Sequence, residues 1–136
     1  MKQTRLKKKS KSPRRIIIDK ADKLLQDWMR LKHKGEKCEI CGEPFELSHH
    51  YIAKSQSTKL RFDEENLILV CSKCHFKIHK TTQGHYIGGL IVFIRGSKWF
   101  NYITTQKNIL MTLTTKDLEE KIVKYEKLIE KFNNKK

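Results

Sequence analysis

Residues 71–79 read "CSKCHFKIH", and the meaning of this stretch decides what the rest of the chain can be. Two thiols are followed at once by two imidazoles at i and i+4, so metal-ligating side chains crowd a single turn and helix. An earlier knuckle, "CEIC" at 38–41, supplies a second thiol pair, and the whole pattern is C-x2-C-x29-C-x2-C. Each pair is a tight turn that presents two thiolates to one ion, and two such turns close a tetrahedron. Gly42, directly after the first knuckle, suits the backbone of such a turn. Four thiolates leave no position for water or substrate, so a structural Zn2+ on Cys38, Cys41, Cys71 and Cys74 is expected. A finger made of Cys38, Cys41, His75 and His79 is rejected. Its loop would run to 33 residues, against roughly 12–15 in such fingers, and Cys71 and Cys74 would be stranded. A redox reading of either CxxC lacks its βαβ setting.

Closing the clamp folds back the segment that holds "LSHHYIAKS" at 47–55. Successive strand residues point to opposite faces, so His49 and His50 cannot share one pocket wall unless the backbone turns there. The segment reads as a strand or hairpin near 45–52, a polar turn "KSQSTK" at 54–59, then "NLILVC" running into the second knuckle. "HFKIHK" at 75–80 continues as a helix with His75 and His79 on one face. If the hairpin folds over that helix, His49 or His50 meets His75. Three imidazoles near one point would hold a divalent cation and leave positions open.

Outside the knuckles the chain is basic and partly helical. Its 136 residues make one domain with a modest core, and 30 Lys+Arg against 15 Asp+Glu give a net charge of +15. A polyanion is the natural partner of such a chain, and nucleic acid is the commonest one. Residues 1–15 carry eight of the basic residues and no acid, and are expected to form a disordered basic arm ahead of a single domain at 16–136. The only apolar run near the start is "III" at 16–18, far short of a signal sequence or a membrane span. A reducing, cytoplasmic setting is therefore expected, in which cysteines serve metal binding.

A leading helix follows from Ile17, Ala21, Leu24, Leu25, Trp28 and Leu31, with Gly35 placed to end it. A closing helix capped by Thr114 or Thr115 carries the stripe Leu118, Ile122, Tyr125, Ile129 and Phe132. Between them "YIGGLIVFIRG" has enough β-branched residues for a strand, yet reads equally as a short buried helix.

"SHHYIAKS", "ENLILVC" and "CSKCHFKIH" together resemble the HNH endonucleases, whose ββα-metal motif runs His, Asn, His in this order, often on a four-cysteine zinc clamp. "STKLRFDEENLILVCSKCH" after the "HHYIAK" turn is similar, more particularly, to the phage lambda NinG (Rap) recombination nucleases. The resemblance implies an α+β fold: a small ββα-metal core at 36–80 on a four-cysteine zinc site, flanked by N- and C-terminal helices, with 81–106 helical inside the C-terminal part 81–136. It implies a metal-dependent DNA endonuclease of HNH type in a bacterial or phage-infected host, and branched recombination DNA as substrate. The alternative is a non-catalytic, zinc-dependent DNA-binding accessory protein. Charge and cysteines serve both; His50, Asn66 and the His49/His75 pair separate them.

The resemblance gives each residue a role. His50 stands where the motif has its general base, a task suited to an ordinary pKa near 6.5. His49 and His75 match the cation's ligands, and His79, one turn on, is a candidate third. Asn66 matches the central residue, whose amide would pin the loop backbone and so aim the base. The cation could be Mg2+, Mn2+, Ni2+ or Zn2+. The products would carry 5′-phosphate and 3′-hydroxyl ends. Lys54, Lys59, Arg61, Lys77 and Lys80 are expected phosphate contacts, binding DNA with strong salt dependence. An RNA substrate is disfavoured because no aromatic platform is visible. A homodimer is left open.

Overall fold

The computed structural model describes residues 9–135. Among these the chain forms α1 (Pro13–Lys32), β1 (Leu47–His50), a short 3-10 helix (Glu64–Asn66), β2 (Leu67–Val70), α2 (Ser72–Lys80), α3 (Gly84–Arg95), α4 (Ser97–Lys107) and α5 (Thr115–Asn133). The architecture is mixed and mainly helical, with one antiparallel two-stranded sheet.

β2 organises the interior. All four of its residues are buried, and alternation sends Ile68 and Val70 into one apolar cluster and Leu67 and Leu69 into another. With both faces covered, "LILV" needs no polar alternate. The first cluster joins the cysteine knuckles to α3 and α4 through Ile87, Ile91, Trp99 and Ile103. The second joins α1 and α5 through Ala21, Leu25, Met29, Leu118 and Tyr125. Leu25 and Leu118 are fully buried, and truncating either to alanine costs about 2–5 kcal/mol.

Local signals place the helix ends. Ser12 caps α1, its hydroxyl accepting from the Arg15 N–H at 3.2 Å, and Pro13 opens the helix where its missing N–H costs nothing. The expected arm therefore loses residues 13–15 to the first turn of α1, while residues 1–8 lie outside the described residues. Thr114, not Thr115, caps α5, in a reciprocal box with Asp117.

The ambiguous segment is helical on both sides of Gly96, whose φ of 93° makes the break between α3 and α4. A strand there is not formed. The deciding seam is Ile87 with Ile91 and Trp99 with Ile103, each pair four residues apart. Gly84 lets α3 start hard against α2: a Cβ at this position would lie 2.7 Å from the Ile78 carbonyl oxygen. No helix among the described residues is long and apolar enough to cross a membrane.

Candidate functional site

The four cysteines are brought together by two unlike turns. Cys38 and Cys41 sit in a tight hairpin where Gly42, at φ 78°, donates its N–H to the Cys38 carbonyl at 3.0 Å. Cys71 caps α2, its sulfur accepting from the Cys74 N–H at 3.5 Å. All four Sγ atoms lie within 4.8 Å of one another, and Cys41 and Cys71 are 3.6 Å apart. Zn–S bonds of about 2.3 Å in a tetrahedron require sulfurs roughly 3.8 Å apart, so the donor set fits a structural zinc ion. Burial pushes Cys38 up, but the backbone groups of Cys41, Cys71 and Ile40 outweigh it and bring the thiol down to about 7. Burial pushes the Cys74 thiol well above its ordinary value.

Register explains the tandem histidines. His49 pairs with Ile68 and His50 with Leu67, so the two rings leave β1 on opposite sides of the sheet. His49 reaches α2. Its ring centroid lies 5.5 Å from His75 and 5.0 Å from His79, and the Nε2 atoms of His75 and His79 are 3.1 Å apart. One nitrogen from each of the three rings falls within 4.8 Å of the others. Metal–nitrogen bonds of about 2.1 Å place neighbouring ligands roughly 3.0–3.4 Å apart, so this trio fits a divalent cation. Burial, reinforced by His79 and His75, holds His49 down to about 4, and burial lowers His75 as well. Both rings are then neutral at pH 7, as ligation requires.

His50 is anchored on the other side. Its Nε2 donates to the Arg61 carbonyl at 2.8 Å. A carbonyl can only accept, so in the neutral ring Nε2 carries the proton and the lone pair sits on Nδ1. Burial keeps the His50 pKa below the usual histidine value despite the opposing pull of that bond. Asn66 is fully buried and ties the intervening loop. Its Oδ1 accepts from Ile52 N–H at 2.8 Å, and its Nδ2 donates to the Ile52 and Leu60 carbonyls at 3.0 and 3.2 Å.

Several positioning residues carry no motif. On α1, Asp22 grips Arg61, and Gln26 exchanges two hydrogen bonds with the Ser48 backbone at 2.9 and 3.1 Å. A polar i, i+4 pair flanking the Ala21/Leu25 stripe is the one sequence signal that could have flagged them. Arg95 of α3 holds both carboxylate oxygens of Glu39 in the first knuckle and the Glu65 and Leu67 carbonyls on either side of Asn66.

The expected cationic residues divide. Lys59, Lys77 and Lys80 are exposed, and Lys54 is exposed but lies 3.4 Å from Asp22. Arg61 is turned inward, its side chain 13% exposed and committed to Asp22. The imidazoles, Asp22, Gln26, Lys54 and Gln56 line an open cleft of about 490 Å³.

Fold and donor clusters define a class: a small, mainly helical protein with a two-stranded sheet and four cysteines positioned for a metal ion. The chain belongs to the family described as bacteriophage lambda NinG protein, whose profile matches residues 1–135. It is also similar to the mitochondrial DNA mismatch repair protein mutS homolog of Sarcophyton glaucum, 43% identical over 49 residues. That match takes in 33% of this chain and 5% of the relative, so the chain spans a small fraction of that protein's length. No solved structure matches.

Proposed function

We propose that this protein is a metal-dependent DNA endonuclease of the HNH type, with His50 as general base and His49, His75 and His79 as ligands of one divalent cation. One observation carries the reading: three imidazole nitrogens converge within 4.8 Å while the fourth ring leaves the same strand on the opposite side. A purely structural zinc protein has no need of that division. Family membership and a relative named for DNA mismatch repair support DNA as the substrate, and the net charge of +15 suits a polyanion.

When bound, the cation would supply Lewis-acid stabilisation of charge growing on the phosphate oxygens. The remaining work falls to the chain. His50, neutral and tethered through Nε2, offers Nδ1 to take a proton from the attacking water. Asn66 holds residues 52 and 60, and so fixes the loop that ends in the Arg61 carbonyl. Asp22 holds the Arg61 side chain from α1. Lys54, Lys59, Lys77 and Lys80 would track the DNA backbone through phosphates.

Incubation with linear, nicked and four-way-junction DNA, with and without Mg2+ or Mn2+, tests the proposal. Metal-dependent cleavage that His50→Ala abolishes supports it. DNA binding without cleavage under any of these ions would instead make the protein a zinc-dependent accessory factor.

A further inference from the structure

α2 carries three stripes. Cys74 and Ile78 turn toward the core, and His75 and His79 join His49. Lys73, Phe76, Lys77 and Lys80, spaced i, i+3, i+4 and i+7, make the solvent face. Phe76 is 60% exposed and belongs to neither apolar cluster. No acid stands on α2, and among the described residues none of its three lysines is paired with a carboxylate. A groove of about 470 Å³ lies along this edge, lined by Leu47, Ser72, His75, Phe76, His79 and Lys80. Leu47, His75 and His79 line both this groove and the cleft that holds His49 and His50, so the two adjoin along these residues.

We propose that the groove is a stacking subsite for one unpaired DNA base, adjacent to the phosphate at the imidazole trio. The chemistry of the face selects that occupant. A flat apolar ring with an aliphatic wall at Leu47 suits the face of a base, and lysines around the ring suit the phosphates on either side of it. Inside a duplex both faces of a base are covered by its neighbours, so a phenyl standing off a helix meets one without first prising a base step apart only where the strand is unpaired. A duplex would use the lysines and ignore the ring; an apolar protein partner would use the ring and be opposed by the lysines. The subsite rests on the nuclease reading for the position of the phosphate and extends it: the enzyme would favour DNA with an unpaired nucleotide beside the cut.

The test uses the full-length, zinc-loaded protein in a His50→Ala background, so that binding is read without cleavage. The probe is a single strand carrying 2-aminopurine, compared with a fully paired duplex of the same sequence. Phe76→Ala should weaken single-strand binding about tenfold and abolish the emission change of the probe, while duplex affinity shifts less than twofold. Phe76→Trp should restore both. Equal loss on the two substrates, no loss on either, or a change in oligomeric state in place of a change in affinity overturns the subsite. Cleavage by the parent protein is assayed separately. If it cuts nothing, the nuclease reading fails, yet a selective single-strand loss in Phe76→Ala still supports base stacking.

Discussion

Asp22 and Arg61 are joined by two hydrogen bonds, at 3.1 and 2.6 Å, and the Arg61 carbonyl is the acceptor that orients His50. α1, which holds none of the metal-ligating residues, thereby reaches His50 through one intermediate residue. Asp22→Asn keeps the shape but removes the charge that holds the guanidinium. It should lower kcat on a small phosphodiester by up to about 10²-fold with KM little changed, because the loss is one of aim. Steady-state kinetics on bis(p-nitrophenyl) phosphate, well below the melting midpoint, reads this directly. A change confined to KM would assign Asp22 to substrate binding.

His50→Ala should reduce DNA cleavage by about 10²–10⁴-fold while DNA affinity stays within a few fold. Parallel gel-based cleavage and anisotropy titrations separate the two. Equal loss of cleavage and affinity would make His50 architectural.

The pH profile follows from the burial of His50. With His50 as the proposed base the active form would be the neutral ring, and burial lowers its pKa, so activity should persist below pH 6.5 and fall only as the pH drops through the lowered value. A cation on the neighbouring imidazoles repels the imidazolium and moves the limb the same way. A log(kcat/KM) profile whose acid limb lies above 6.5 would contradict this.

Asn66→Ala should be among the most destabilising single changes outside the cysteines. It leaves the Ile52 N–H and carbonyl without their partner beside a fully buried position, while the Leu60 carbonyl keeps the Asp63 N–H at 3.2 Å. A loss of about 2–4 kcal/mol is expected from chemical denaturation. A loss under about 0.5 kcal/mol would show that water replaces the amide freely.

Cys71→Ser should remove a zinc ligand while its hydroxyl still caps α2, and the fold should fail through the metal alone, since zinc affinity is folding energy in so small a core. A melting curve that neither this substitution nor a strong chelator alters would refute the clamp.

Much of the site was legible because its rules are short-range. Alternation along a strand separates His49 from His50, a helical i, i+4 spacing joins His75 to His79, and CxxC spacing anticipates two knuckles. Asn66 could be named only through the resemblance, since nothing local in "DEENLILV" marks an amide that the fold buries completely. The region after the second knuckle was not legible by period, since an unbroken apolar run satisfies strand and helix alike; the seam of Ile87, Ile91, Trp99 and Ile103 emerges only against the first apolar cluster. Asp22, Gln26 and Arg95 were invisible for a different reason. Their partners lie 22 to 56 residues away, and no local pattern encodes those contacts. Arg61 reads as a phosphate contact from its loop, and only the fold reveals the carboxylate waiting for it.

The most direct measurement is a calorimetric titration of the zinc-loaded protein with Mn2+ or Ni2+, run alongside His49→Ala and His75→Ala. The account predicts one further ion per chain, absent in both variants while the cysteine-bound zinc remains. A protein that takes up no additional ion, or variants that bind it as well as the parent, would contradict it.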